Sequence, residues 1–595
     1  MPLNKTNLKP KSSAWKKMAQ LIKDYFIHSD EKRKAWLLLI GIILCVVGIV
    51  VLIATLSWWS AAFWTILMAK ALTPFFISMG QFALIVGGLV ATHVLKNYLM
   101  GKLSIRWNQW LTRKIMGDFL TKQNYLEVKR NNSEIDNIGQ RVDKDVKSLV
   151  DLTLLLGTDL LKSVLLLGTF VGTLWVVGGA LSFALLGLNI VIPGYLVWVA
   201  LLIAVASTAI IHFLAKSLVE KNKKTERLGA DFRLTVEKIC DESENIAQEQ
   251  AEPYYQKSID NQQVNIADAE HQKLNTQSKL IAFQHFNRLI AEIVPYLASA
   301  PLYFLGLIEL GQLMQVGMAF GQVNQSLSWF VDMYENLALY TSSIERILEL
   351  QEAFQNDAPA DKVQSIVRLE KKKETLKVKN LSISLPYSAT LNAPYILRNL
   401  NLELKPKENV LFMGSSGSGK STFFKVVAGS WKYGKGKISV PEGKKLYFLP
   451  QTPTIPKTSL RGVLAYPDVV ETYTENQYIA ALDAVGGMDA FIPRLSERTN
   501  WSDQLSGGQK QRISFARALL KKPDWLFLDE ASAALDEESE QTVYNALKQL
   551  PSTTIVSIAH RKTVAKYHSR IVFFSVDAEK HITVTDVVNG CQVSS

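Results

Sequence analysis

Cysteine is scarce: 595 residues hold only Cys45, Cys240 and Cys591, far apart and without a CxxC pair. That excludes a disulfide framework and gives no thiolate metal site. Charge is also sparse, at 20% of residues, against 48% hydrophobic. A disordered chain is therefore excluded, because there is ample apolar surface to bury. The 33 glycines follow no triplet period, which excludes a collagen-like chain. The N-terminus lacks an apolar stretch ending in small residues before the first long hydrophobic run, so no cleavable leader is expected. What remains is a chain long enough for three or four domains, or fewer large ones. Its mean hydropathy of +0.08 averages two unlike halves.

The first half is membrane-like. Ala35 to Leu56 reads AWLLLIGIILCVVGIVVLIATL without one charge, enough for a helix to cross a hydrocarbon core of about 30 Å. Trp58, Trp59 and Trp64 follow as an interfacial belt. Further apolar stretches lie at about 82–99, twice between Leu152 and Leu214 with a hinge near Pro193 and Gly194, at about 281–307, and at about 313–340. The expectation is six spans, with a basic segment 1–34 ahead of a membrane domain 35–350. The net charge of +12 is concentrated usefully: residues 1–34 carry nine Lys or Arg and three acids. By the positive-inside rule this is a cytoplasmic flank, not a nucleic-acid arm. Segments 100–150 and 215–280 are long, polar and helix-prone, and fall on the same cytoplasmic side. Asp332 and Glu335 lie near the last span. They read either as part of a hydrophilic pathway or as interfacial residues beyond an earlier helix end.

The second half changes character. Residues 351–375 read as a polar linker, and an α/β domain is expected from Leu376 to the C-terminus (376–595). An apolar strand, VLFMG, runs into Gly414, Ser415, Ser416, Gly417, Ser418, Gly419, Lys420, Ser421 and Thr422, where a helix begins. This is GxxxxGK[ST] in its strand-to-helix setting. Its glycines turn backbone N–H groups toward phosphates, Lys420 reaches the β- and γ-phosphates, and the Ser421 hydroxyl can ligate Mg²⁺. A second strand, Trp525 to Leu528, delivers Asp529 and Glu530 at its end. Asp529 suits a metal-holding role and Glu530 the polarisation of an attacking water. Between them, Leu505, Ser506, Gly507, Gly508 and Gln509 open a helix. Two glycines at a helix start expose N–H groups to an anion.

LSGGQ about 20 residues before that acidic strand resembles the signature of the ABC transporter family. In that resemblance, Gln451 in FLPQTP corresponds to the Q-loop, which touches Mg²⁺. Ser532 to Asp536 corresponds to the D-loop, and His560 in SIAHR to the switch histidine that senses the γ-phosphate. The adenine-stacking aromatic is read as Tyr387, with Tyr395 as rival. Lys407 stands in KPKE where a glycine is common, a turn expected to tolerate it. Because position 530 is Glu, the site resembles a competent ATPase using ATP and Mg²⁺. The metal is expected on Ser421, Gln451 and Asp529. Since one cassette's signature completes another's site, the resemblance implies a half-transporter working as a homodimer. IRWNQWLT (105–112), IDNIGQRVDKDV (135–146) and LMQVGMAFGQVNQSLSWF (313–330) resemble the SbmA/BacA-like membrane domains fused to such cassettes, relatives of the mycobacterial vitamin B12 importer and of peroxisomal ABCD transporters. NIGQ stands where NPDQ is commoner, and Cys240 near a frequent Arg.

The resemblance implies a six-helix membrane domain of type IV exporter-like fold plus an α/β P-loop cassette. It further implies residence in a bacterial inner membrane and uptake of hydrophilic cargo such as cobalamin or antimicrobial peptides. Glu244, in the acidic stretch 230–252, matches a recurring glutamate of the family; the stretch reads either as part of a gate or, for most of its charges, as a solvated helix face. Rival readings are an exporter of lipids, acyl chains or drugs, and a membrane ATPase that senses or gates without moving cargo.

Overall fold

The computed structural model describes residues 12–131, 138–185, 188–355, 366–385, 395–576, 582–588 and 591–593. The chain divides into two compact units. The first comprises residues 1–121 and 135–352, the second residues 122–134 and 353–595.

The first unit is built from long helices: α1 (Ser12–Lys23), α2 (Lys32–Met68) and α3 (Leu72–Leu120), then past α4 a short α5 (Ile138–Gln140), α6 (Val146–Gly178), α7 (Tyr195–Asp241), α8 (Ser243–Glu249), α9 (Glu252–Phe304), α10 (Leu310–Leu327), α11 (Trp329–Asp332) and α12 (Tyr334–Gln355). At 1.5 Å per residue, the 49 residues of α3 and 53 of α9 run about 74 and 80 Å, far beyond a bilayer core. Among the described residues, three helices are long and apolar enough to cross a membrane, Lys32–Met68, Leu72–Leu120 and Ile138–Gly178, each with an 18-residue stretch of mean hydropathy 3.4, 1.8 and 1.9 respectively. A shorter apolar stretch, Tyr195–Ile211, opens α7. Large apolar side chains such as Leu37, Leu84, Val176 and Phe213 are exposed on these helices, as a lipid-facing surface requires. The unit's core packs Leu166, Phe170 and Leu174 of α6 against Leu196 of α7 and Val316 and Phe320 of α10.

Two details depart from the expected spans. The hinge near Pro193 and Gly194 is a hairpin: β1 (Ala180–Leu185) pairs antiparallel with β2 (Leu188–Pro193) between α6 and α7. Gly179 and Gly194 close it with φ of 57° and 61°. A Cβ on Gly194 would strike the Trp175 ring, so both the backbone and the packing demand glycine there. The sixth span is broken into α10, α11 and α12, and Asp332 ends the four-residue α11 on the exposed surface.

A reciprocal pair of ion bridges fastens the start of α6 to α12. Buried Arg141 donates to Glu349 at 3.0 Å and to the Arg346 carbonyl at 2.9 Å. Arg346 pairs in turn with Asp145 at 3.1 Å.

The second unit includes α4 (Asn124–Asn131) and two sheets. A four-stranded sheet has the order β3 (Val367–Lys371), β7 (Gly434–Pro441), β4 (Leu376–Ser384), β5 (Tyr395–Leu404). A seven-stranded sheet runs β13 (Cys591–Val593), β12 (Ile582–Val588), β11 (Arg570–Val576), β6 (Val410–Gly414), β10 (Thr554–Ile558), β9 (Trp525–Asp529), β8 (Leu446–Leu449). Strands β11, β6, β10, β9 and β8 are parallel, and β12 and β13 form an antiparallel edge. Their apolar runs, buried at every position of β10, fit a sheet covered on both faces. Helices α13 (Lys420–Val427), α14 (Leu460–Ala465), α15 (Glu475–Val485), α16 (Trp501–Gln504), α17 (Gly507–Lys521) and α18 (Glu537–Leu547) complete the unit. The expected linker 351–375 is not all linker, because β3 lies inside it and pairs parallel with β7.

Candidate functional site

In a parallel sheet, ligand-binding groups gather at the carboxyl ends of the strands. Here β6 ends at Gly414, β9 at Asp529, and β10 two residues before His560. Gly414, Gly417 and Gly419 have φ of 144°, 80° and 82°, values that side chains rarely adopt. The loop bends back on itself, and α13 starts at Lys420 with Gly419 as its left-handed N-cap. Ser415, Ser416 and Gly417 are exposed, while Ser418, Gly419 and Lys420 are buried. The Lys420 ammonium lies across the loop, donating to the Gly414 and Ser415 carbonyls at 3.0 and 2.8 Å and to Ser418 Oγ at 3.0 Å. Burial pulls its pKa below the usual lysine range, against the opposing pull of Glu530 and Asp529.

Ser421 Oγ donates to Asp529 Oδ1 at 2.7 Å. Burial pushes the Asp529 carboxyl up, the Ser421 bond works against this, and neighbouring Glu530 adds to the rise. A hydroxyl beside a partly desolvated carboxylate is a hard oxygen donor set suited to Mg²⁺. Glu530 is held from both sides. Gln451 Nε2 donates to its Oε2 at 3.1 Å, and His560 Nε2 stands 3.1 Å from its Oε1. Its φ of 50° is left-handed for a side chain with a Cβ, a conformation that costs about 1–3 kcal/mol and persists only where its surroundings enforce it. Its N–H bonds to the Ile558 carbonyl at 3.1 Å, and its own carbonyl accepts from Ala533. The turn thus aims the carboxylate away from β9 toward Gln451 and His560. The structure therefore brings together Lys420, Ser421, Gln451, Asp529, Glu530 and His560, with Thr422 in the first turn of α13.

The signature residues form a separate group. Ser506 caps α17 by accepting from Gln509 N at 3.3 Å, and Gln509 Oε1 accepts from Ser506 N at 2.9 Å, a reciprocal capping box. A Cβ on Gly508 would lie 3.2 Å from the Ala534 carbonyl, and one on Gly507 3.6 Å from the Ala534 Cβ. The glycines thus let α17 start close against the 532–536 loop. Asp536 caps α18, accepting from Ser539 N at 2.7 Å. Hydrogen bonding from the Ser539 side chain, and then from its backbone N–H, holds the exposed Asp536 carboxyl below the usual range.

Three side chains that the sequence did not single out join these parts. Gln511, 4% exposed, accepts from Ala534 N at 2.9 Å and donates to the Gln451 carbonyl at 3.4 Å. Glu540, 1% exposed, accepts from Ser532 at 3.0 Å and Thr563 at 2.7 Å. Arg561 donates to the Leu535 carbonyl at 2.6 Å. These bonds connect the 532–536 loop to Gln451 and to Arg561, the residue after His560. None of the three carries a motif of its own. Only their position within two residues of LSGGQ or one residue of His560, or in the first turn of α18, marked them.

Tyr387 lies outside the described residues. Tyr395 opens β5 with Lys435 Nζ 5.4 Å from its ring centre. Lys407 has a φ of 63° and donates its N–H to Thr554 Oγ1 at 2.8 Å, which explains why glycine suits the position. Within the same unit, α4 meets the loop after α13. Arg130 donates to the Ser430 carbonyl at 2.5 Å, and its guanidinium lies 4.9 Å from the Trp431 ring centre.

Residues 21–304 match the family described as ABC transporter transmembrane region 2, and residues 397–533 match the family described as ABC transporter. The inner membrane ABC transporter ATP-binding protein YddA of Escherichia coli is 28% identical over 91% of this chain and 94% of its own length. ABC transporter D family member 2, chloroplastic, of Arabidopsis thaliana is 27% identical over 94% of this chain and 86% of its own. A bacterial Atm1-family ABC exporter with ATP bound shares the fold, with a TM-score of 0.73, 18% identity, and 91% and 93% of the two chains covered.

Proposed function

Because the chain belongs to the ABC transporters, a membrane region of that family joined to its cassette, we propose that it works as a homodimeric half-transporter taking up hydrophilic cargo, cobalamin or a peptide. The cassette is an ABC-type ATPase. The observation that supports hydrolysis as its driving step is the bracketed carboxylate of Glu530, 3.1 Å from both Gln451 and His560 at the mouth of the Gly414–Thr422 loop; uptake and cargo rest on the resemblance of the membrane region.

The residues fit ATP and Mg²⁺. Gly414 to Gly419 offer turned backbone N–H groups with the α13 N-terminus behind them, and Lys420 supplies a cation one loop-width away. Mg²⁺, held by Ser421, Asp529 and, through its amide oxygen, Gln451, would neutralise charge on the phosphates. Glu530 orients and polarises water as general base, while His560 fixes the carboxylate's direction. Ser506, Gly507, Gly508 and Gln509 cap α17 beside the 532–536 loop of their own chain. Their exposed helix start is offered to the phosphates held by a second copy, so two copies make two complete sites. Gln511, Glu540 and Arg561 transmit the state of that contact to Gln451 and His560. α4 belongs to the cassette's own unit, where Arg130 clamps it on Trp431. The basic N-terminal flank and the likeness to YddA support residence in a bacterial inner membrane with the cassette in the cytoplasm.

The test uses liposomes preloaded with labelled cobalamin or, separately, a labelled peptide, with Mg-ATP added outside so that only outward-facing cassettes respond. Loss of lumenal label, absent in Glu530→Gln, is the expected result. Hydrolysis with accumulation of cargo in the lumen would instead establish an exporter. Hydrolysis without flux of any cargo would establish a sensor or gate.

A further inference from the structure

Charges inside an apolar bundle are costly, and they persist where they pair or where they serve a pathway. α3 and α6 run antiparallel and carry such charges on the faces they turn to each other. Ser104 donates to Asp151. Thr158 lies 3.7 Å from the Met100 sulfur. Lys96, 8% exposed, stands 3.9 Å from Asp159. His93 lies within electrostatic reach of Lys96 and Lys162. On α3 the polar positions 93, 97, 104 and 108 recur at one- or two-turn spacing and form a single stripe. Asn108 ends it with a buried carboxamide oxygen that has no hydrogen-bond partner.

Two cavities open along this stripe and share Asn97. One, of about 510 Å³, is lined by Ile53, Val90, His93, Val94 and Asn97 among others. The other, of about 410 Å³, is lined by Asn97, Met100, Ser104, Asp151 and Leu155 among others. Both fall within the roughly 300–1,000 Å³ of small-ligand sites. The charges along them are of both signs and incompletely matched. Lys96 and Asp159 pair with each other. Among the described residues no carboxylate lies within ion-pair distance of Lys162, and no cation within that of Asp151. α2, the other helix packed on α3, brings no charge from Ala35 to Met68. The seam thus presents a spare cation beside His93 at one end and a spare carboxylate at the other. They are separated by eleven residues of α6, or about 16 Å.

We propose that the α3–α6 seam is a cargo-binding site for a zwitterionic solute, a short peptide with free termini. The peptide's carboxylate is taken by Lys162 and His93, and its ammonium by Asp151. An extended chain rising about 3.3 Å per residue spans that gap with about five residues, while Asn97, Ser104 and Asn108 meet its amides. This rests on the transporter reading above and specifies its cargo.

The test measures calorimetric binding of penta-alanine to the full chain in lipid nanodiscs, with free termini, N-acetylated, or C-amidated. Acetylation is expected to weaken binding to the wild type about tenfold, the worth of a charge-assisted contact, and to have no further effect in Asp151→Asn. Amidation should behave likewise with Lys162→Gln. Circular dichroism and the thermal unfolding midpoint of both variants should match the wild type, which shows that they fold. No binding of the free peptide by the wild type would overturn the proposal. So would acetylation penalties that are equal in the wild type and in Asp151→Asn. ATP-driven uptake of another hydrophilic solute would then still leave the transporter reading standing. Conversely, a peptide that binds as predicted yet moves toward the lumen would keep the seam and discard uptake.

Discussion

The cassette and the membrane region of this chain solve opposite problems with charge. In the cassette, titratable groups converge: Lys420, Asp529, Glu530 and His560 come from the ends of three neighbouring strands and point to one place. In the membrane region, charges are spread along helices and balanced two at a time, Lys96 with Asp159, Arg141 with Glu349, Arg346 with Asp145. Convergence concentrates potential for chemistry. Pairwise balance keeps costly groups tolerable in an apolar bundle while leaving a few for recognition. The contrast is sharpest in backbone strain, because Glu530 adopts a left-handed φ at the catalytic turn, while α2, α3 and α6 run in regular helix for 37, 49 and 33 residues.

The largest effect should come from breaking the convergence. Glu530→Gln removes the base but keeps shape and hydrogen bonding, so turnover should fall about a hundredfold or more with ATP binding intact, as read by ATPase rate and nucleotide binding. Lys420→Ala should weaken both.

Next comes the clamp that holds α4 within the cassette's unit. Arg130→Ala removes the clamp on Ser430 and Trp431, and ATP-driven flux should drop several-fold while ATPase activity stays within about twofold, measured in the same liposomes.

A third test separates the halves by pH. Burial pushes His568 down to about 4, where it bonds Val564 and Ser557. The folded value lies below the unfolded one of about 6.5, so the unfolded chain binds the extra proton. The stabilisation is whole above about pH 6.5 and is lost as pH falls toward 4, by roughly 3 kcal/mol. Cassette unfolding followed by tryptophan fluorescence should show this loss, and His568→Gln should flatten it.

The smallest effect is at Lys407. With a φ of 63°, replacement by glycine relieves strain at the cost of unfolded-state entropy. Lys407→Gly should leave stability unchanged or raise it by up to about 1 kcal/mol, visible as a small rise in Tm.

The same contrast governs what the sequence discloses. In the cassette, chemistry sits in contiguous strings at strand ends, so Gly414 to Thr422 and Asp529–Glu530 announce themselves. What stays hidden there is long-range. Gln511 and Glu540 act through partners 23 and 8 residues away, and no local pattern marks a buried glutamine or glutamate. β3 escapes because its Val367–Arg368–Leu369–Glu370 alternation is only four residues long within a polar stretch, and all five of its residues are exposed. In the membrane region, hydropathy shows the first long helices clearly. It cannot show that an apolar stretch turns into the β1–β2 hairpin, since strand and helix bury the same residue types there. Nor does it reveal that charges at 96 and 159 meet, which depends on how α3 and α6 pack. The break between α10 and α12 that leaves Asp332 at the end of α11 is likewise set by local geometry that hydropathy does not carry.

The central claim is that Ser506 of one copy completes the site around Lys420 of another. Cysteines placed at Ser506 and Gly417, in a Glu530→Gln chain with Cys45, Cys240 and Cys591 replaced by serine, test it directly. With Mg-ATP and a short thiol-to-thiol linker, the account predicts a covalent dimer that forms only with nucleotide and only when both positions carry cysteine. Cross-linking confined to single chains, or equally efficient without nucleotide, would contradict it.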